Sequence, residues 1–268
     1  MAVSGAMTHA VASPWLVEHA ITGMRSITRM RRSLDPTTEW HDGRTVQVAT
    51  DESDLAMGNC VFVPRDGVAE PDLDEVEAAL TDLAALGRPF SLLARSGVVA
   101  ELEPIAVRHG LAVVDASPLM VLEDLSGLPS PPPPELSVRF ADTADYDDFL
   151  RCAADAFETT PEIAVRYVKR EAFETPQIGH WIGWVDDSGC VASNIVVGEW
   201  VAIFDVATPP PLRRRGYGAA MTAAAVQAGF AAGARYALLN ATPDGLPLYA
   251  RLGFQTVDTL TYWETSSD

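Results

Sequence analysis

Val201-Ala-Ile-Phe-Asp-Val206-Ala-Thr-Pro-Pro-Pro-Leu-Arg213-Arg-Arg-Gly216-Tyr-Gly218-Ala-Ala220 decides the fold of this chain. The apolar run at its start reads as a strand, Pro209–Pro211 ends that strand, and an alanine-rich helix is predicted from about Arg215 to Ala232, closed by Gly233. The first four backbone N–H groups of a helix have no partner within it, and glycines let an anion approach them closely. Arg214 and Arg215 add positive charge beside them, and the helix dipole contributes on the order of 1 kcal/mol more. A strand–turn–glycine–helix stretch of this kind predicts a cradle for a phosphate or pyrophosphate. It lacks GxxxxGK[ST], which disfavours a nucleotide triphosphatase. Its glycines also come late, after an antiparallel meander, which argues against the opening of a dinucleotide-binding Rossmann unit.

Working outward, strands are predicted at His180–Val185 and Cys190–Val197 across the turn Asp186-Asp-Ser-Gly189, with a third from Trp200 to Val206. Upstream lie a strand at Leu136–Phe140, a helix carrying Tyr146, Phe149, Leu150, Ala153 and Phe157, and a second short helix over Pro161–Phe173. Downstream follow a strand at Tyr236–Asn240, a short helix at Gly245–Leu252, and a terminal strand or hairpin from Gly253. Leu128-Pro-Ser-Pro-Pro-Pro-Pro-Glu135 breaks the chain before all of this, because four consecutive prolines fit neither a helix interior nor a central strand. The expected division is 1–127, a proline-rich linker at 128–135, and 136–268.

The first stretch predicts a helix from Pro14 to about Arg32, with Leu16, Ala20, Ile21, Met24 and Ile27 on one face. A second helix is predicted over Asp72–Leu86, where Asp72, Asp74 and Glu75 complement the dipole and Gly87 supplies a stop. Short strands are expected at Thr45–Ala49, Asn59–Val63, Ser91–Ala94, Leu111–Val114 and Met120–Leu122, with a short helix around Pro104–His109. No chemical motif accompanies this alternation.

With 268 residues, 48% of them hydrophobic, the chain can build a sizeable core. Its net charge of −18 excludes nucleic-acid and anionic-membrane binding as leading functions. No run reaches the length of a membrane span, and Met1–Ala10 has neither the basic start nor the apolar core of a signal peptide. Cys60, Cys152 and Cys190 are widely separated and odd in number, so reduced thiols in a cytoplasmic protein are expected. Histidine and cysteine spacing offers no metal site.

Arg213-x-x-Gly216-x-Gly218 after the strand ending at Val206, followed by Leu248-Tyr249-Ala-Arg-Leu-Gly253-Phe254, resembles the GNAT superfamily of N-acetyltransferases. The resemblance covers about Leu136 to Trp263. It implies an α/β fold with a mixed, mostly antiparallel splayed sheet flanked by helices, and acetyl-CoA as co-substrate with no metal. It implies backbone contacts to the pantetheine arm around Val206 and Thr208. Arg213, Arg214, Arg215, Gly216, Tyr217, Gly218 and Ala219 would serve the pyrophosphate, and Thr242 the lower arm. Thr242 stands where many members have asparagine. Tyr249 would be the general acid for the leaving thiolate, with Glu199 or Asp205 as general base. His180 is a further candidate base. The expected acceptor is the primary amine of a small molecule; a non-catalytic acyl-CoA-binding or regulatory protein is the alternative. The resemblance leaves room for a homodimer. The stretch before the linker is expected to be a degenerate GNAT-like half or an accessory lid. The cofactor groove is then expected to lie wholly within 136–268, so that Glu135–Asp268 alone would retain CoA binding.

Overall fold

A computed structural model describes residues 12–52, 54–64 and 70–265. The signal-peptide reading of Met1–Ala10 falls outside them. Helix α1 runs Pro14–Arg32, started by Ser13, whose hydroxyl accepts from the Leu16 N–H at 3.2 Å, and by proline at its first position. Strands β1 (Glu39–Asp42), β2 (Gln47–Thr50) and β3 (Cys60–Val63) follow, then α2 (Leu73–Ala85), β4 (Ser91–Arg95), α3 (Val99–Arg108) and β5 (Leu111–Leu122). Beyond the proline linker come β6 (Ser137–Phe140), α4 (Tyr146–Ala156), α5 (Pro161–Ala164), β7 (Ile178–Val185), β8 (Ser188–Val197) and β9 (Trp200–Ala207). The chain closes with α6 (Tyr217–Ala231), β10 (Tyr236–Asn240), α7 (Leu246–Arg251) and β11 (Gln255–Thr265).

Among the described residues, eleven strands join one mixed sheet in the order β1-β2-β3-β4-β11-β5-β10-β9-β8-β7-β6. The expectation of two self-contained units does not hold, because each half lends a strand to the other. β5, from before the linker, pairs with β10, Leu119 opposite Asn240 through Leu122 opposite Ala237. β11, from the end of the chain, pairs with β4, Leu260 opposite Arg95 through Glu264 opposite Ser91. The two exchanged strands lie side by side over ten residue pairs. A second correction concerns β5 itself. The two short strands expected at Leu111–Val114 and Met120–Leu122 are one twelve-residue strand that runs through Pro118. The proline is tolerated because its main-chain polar side faces the end of β10, beyond the last strand pair, where its carbonyl accepts from the Ala241 N–H at 2.9 Å.

Helices cover both faces. α6 and α7 pack Met221, Val226, Tyr249 and Leu252 against Val201, Ile203 and Leu239. On the opposite face α1 lays Ala20, Ile21, Met24 and Ile27 over Phe62 of one half and Ile195, Ala202 and Leu238 of the other. α1 therefore bridges the strand exchange. Next to it α4 buries Phe149 and Cys152 against Ile182 and Val191. The cysteines are free; Cys152 and Cys190 are buried and Cys60 is half-buried. Among the described residues no helix is long and apolar enough to cross a membrane.

Candidate active site

β9 and β10 are the parallel neighbours of the second half, paired through Tyr236–Trp200, Ala237–Val201 and Leu238–Ala202. Beyond Ala202 the ladder stops while both strands continue, to Ala207 and Asn240. The edge of β9 from Ile203 onward thus lacks a strand partner on the β10 side, and a polar chain can add there as a strand would.

The same segment carries a bulge. Ser193 faces Phe204 and Val191 faces Ala207, so Asp205 and Val206 together oppose a single residue of β8. Asp205 takes φ +52°, a left-handed conformation that aspartate tolerates better than most side chains. Successive strand residues normally point to opposite faces. Here Phe204 and Asp205 both turn toward α1, while Ile203 and Val206 pack with α6. Burial pushes the Asp205 carboxyl above the usual carboxylate range, offset in part by the Arg31 guanidinium and by a hydrogen bond from the Ser193 hydroxyl. Ser193 also meets His180, Nδ1 to Oγ at 2.9 Å. His180 is stacked on Phe173, with ring centroids 3.8 Å apart, and burial pushes its pKa down to about 4. It is therefore neutral at ordinary pH, with Nδ1 engaged by Ser193.

Asp205 lines a cavity of about 460 Å³ that both halves enclose. α1 contributes Met24, Ile27 and Arg31, the first half's strands contribute Phe62 and Leu93, and the exchanged β11 contributes Tyr262. Ala202, Leu238 and Asn240 line the same space at the point where β9 and β10 part.

Across the sheet, α6 begins at Gly216, with φ +85° and no side chain capping its first N–H groups. Arg214, Arg215 and Gly216 are exposed. Two nearby acids are already engaged: Glu135 accepts from the Tyr217 hydroxyl at 2.9 Å, and Glu158 lies 3.3 Å from Arg213. The helix start is thus free to hold an anion. The residues present fit the expected pyrophosphate: among the described residues the N–H groups of Tyr217, Gly218 and Ala219 are unpartnered, two arginines are exposed, and no carboxylate is left free beside them. Arg213 does other work. Its guanidinium donates to the Thr208 carbonyl at 3.0 Å and the Ala156 carbonyl at 3.1 Å, so it braces the loop instead of facing a phosphate. The Tyr217 ring is buried in the core, leaving only its N–H for the cradle. By contrast, α2 of the first half opens on its own acids. Asp72 caps it, and the Glu75 carboxylate takes hydrogen bonds from the Arg44 and Thr45 backbone.

Tyr249 sits on α7, nearly buried, and burial pushes its phenol up to about 12. Its ring lies so close to Gly245 that a Cβ there would come within 2.8 Å of Cε2, which accounts for glycine four residues earlier. Among the described residues its hydroxyl has no hydrogen-bond partner. The Thr242 hydroxyl accepts from the Gly245 N–H at 3.1 Å and shapes the turn into α7. Glu199 is not part of this site. It stands at the closed end of β9, about 20 Å along the strand from Asp205, and pairs with Arg235 at 3.1 Å.

Similarity to known proteins bears on the fold. Residues 145–254 match the model of the Acetyltransferase (GNAT) family. A GCN5-related N-acetyltransferase from Kribbella flavida superposes with a TM-score of 0.70 at 20% identity, covering 96% of this chain and 98% of its own. A tandem GNAT protein from the clavulanic acid biosynthesis pathway gives 0.56 at 14% identity, over 97% of this chain and 98% of its own. A GCN5-related N-acetyltransferase from Sphaerobacter thermophilus gives 0.57 at 14%, over 95% and 94%. These likenesses establish a two-half fold shared along the whole chain. No curated protein matches the sequence.

Proposed function

We propose that this protein is an N-acetyltransferase that moves the acetyl group of acetyl-CoA to the primary amine of a small molecule. The observation that carries the reading is the gap between β9 and β10 beyond Ala202 and Leu238, with an uncapped helix start on one side of the sheet and a half-buried carboxyl facing a cavity on the other. Acetyl-CoA supplies an acyl group already activated as a thioester. The backbone from Ile203 to Ala207 offers an unpaired strand edge, and the N–H groups of Tyr217 to Ala219, with Arg214 and Arg215, offer the anion site.

Asp205 takes the proton that an attacking amine must lose. A carboxyl whose pKa is raised by burial is better matched to an ammonium than an exposed aspartate is. Ser193 holds that carboxyl by one hydrogen bond, and His180 holds Ser193. Tyr249, fully protonated at neutral pH, carries on α7 the proton that a leaving thiolate requires. Two faces of one sheet thus divide the work, base toward α1 and acid toward α6, with the strand gap between them.

The test is release of free thiol from acetyl-CoA across a panel of amines. Turnover that requires an amine and is lost in Asp205→Asn supports the reading. Acetyl-CoA binding without amine-dependent thiol release would favour a non-catalytic acyl-CoA-binding protein.

A further inference from the structure

The cavity wall is rich in charge, and most of it is neutralised in place. Arg32 lies 3.7 Å from Asp51, Lys169 lies 4.0 Å from Asp35, and Arg166 pairs with Asp54. Arg31, on the last turn of α1, is the lining cation that makes no ion pair among the described residues. Its guanidinium carbon rests 4.8 Å from the centre of the Phe204 ring. That contact fixes the plane of the fork without satisfying any of its donors.

Phe204 precedes Asp205, and the bulge turns both residues to the same side. The Arg31 guanidinium, resting on the Phe204 ring, and the carboxyl proposed as base therefore face the same cavity, near enough for the guanidinium's charge to act on the carboxyl. A ligand that met both would carry an amine and an anion. Arginine's fork suits a carboxylate in bidentate fashion.

We propose that the acceptor is an amino acid whose carboxylate is held by Arg31 while its amine faces Asp205. This rests on the acetyltransferase reading and narrows it. The apolar wall of Met24, Ile27, Phe62, Leu93 and Leu238 would take the side chain, in a volume within the usual range of small-molecule sites.

The experiment compares each amino acid with the amine left when its carboxylate is removed. The pairs are phenylalanine with 2-phenylethylamine, leucine with 3-methylbutylamine, and lysine with cadaverine, each assayed by thiol release on wild type and Arg31→Gln. The expected result is an amino acid favoured over its amine by about tenfold or more in kcat/KM, through KM, with the preference gone in Arg31→Gln. Because Arg31 is exposed and outside the core, the variant should fold. A binding readout runs in parallel: with CoA present, N-acetylphenylalanine should raise Tm more than N-(2-phenylethyl)acetamide, and only in wild type. Amines turned over as well as their amino acids, or a preference that survives Arg31→Gln, would overturn this inference and leave acetyl transfer standing. No amine-dependent thiol release by any member would overturn the transferase reading and this inference together.

Discussion

Ala202 and Leu238 are the last partners of the parallel pair β9–β10 before the strands separate. Every group assigned to the site is arranged around that point. Asp205 lies three residues further along β9, the α6 helix start follows the same strand, and Tyr249 follows β10. The closed end of the pair, at Glu199, holds a surface ion pair.

Replacing Asp205 by asparagine keeps the shape and removes the base. Activity in wild type should rise with pH through the pKa of this carboxyl, which burial places above the ordinary carboxylate range. In Asp205→Asn the rate should fall by roughly 10²–10⁴-fold and that limb of the pH–rate profile should flatten. Steady-state rates from pH 5 to 9 check both outcomes.

Tyr249→Phe removes a hydroxyl that has no hydrogen-bond partner among the described residues, so the fold should be nearly unaffected. Turnover should fall by roughly 10–1,000-fold with little change in acetyl-CoA affinity. A rate within about twofold of wild type would remove the acid role from Tyr249 and leave solvent as the proton source.

His180 makes a pH prediction about stability. Its folded-state pKa, near 4, lies below the ordinary 6.5, so its contribution is complete above pH 6.5 and is lost as pH falls toward 4. The loss is on the order of 3 kcal/mol for a shift of this size. Asp205 has the opposite sign: its raised pKa favours the fold at low pH, and that contribution is lost as pH rises from the ordinary carboxylate value through the folded one. Denaturant melts of wild type and His180→Gln between pH 4 and 7.5 should converge at the acid end.

Separating the halves should fail. A chain of residues 135–268 lacks β5, the strand that lies between β10 and β11. It would expose an edge of β10 and the apolar residues of β11. We expect it to be insoluble or without cooperative unfolding alone, and to recover when co-expressed with residues 1–134. Far-UV circular dichroism and thermal melts distinguish a folded product from a collapsed one.

Much of this was readable from local pattern. Pro14, Asp72 and Gly216 each mark a helix start by chemistry that acts within a few residues, and the Gly216–Gly218 pair after an apolar strand pointed to the anion cradle. The strand exchange left no comparable mark. Leu111–Leu122 and Gln255–Thr265 look like ordinary closing strands, and which strands they join depends on residues more than a hundred positions away. The bulge was equally hidden: Asp205 reads as one more alternating position until the register with β8 is known. Arg213 shows the limit of a motif, since its spacing matches while its side chain is spent on the Thr208 and Ala156 carbonyls.

Calorimetric titration of acetyl-CoA into wild type, Gly216→Asn and Gly216→Asp tests the central claim most directly. Both variants impose a side chain at φ +85°, where a Cβ would find only Pro133, at 3.8 Å, so strain is matched and charge alone separates them. The account predicts clear binding by wild type, a modest loss in Gly216→Asn, and a further loss of at least about tenfold in Gly216→Asp from repulsion at the pyrophosphate. Equal affinity in the two variants, with both folded, would contradict a cofactor seated on this helix start.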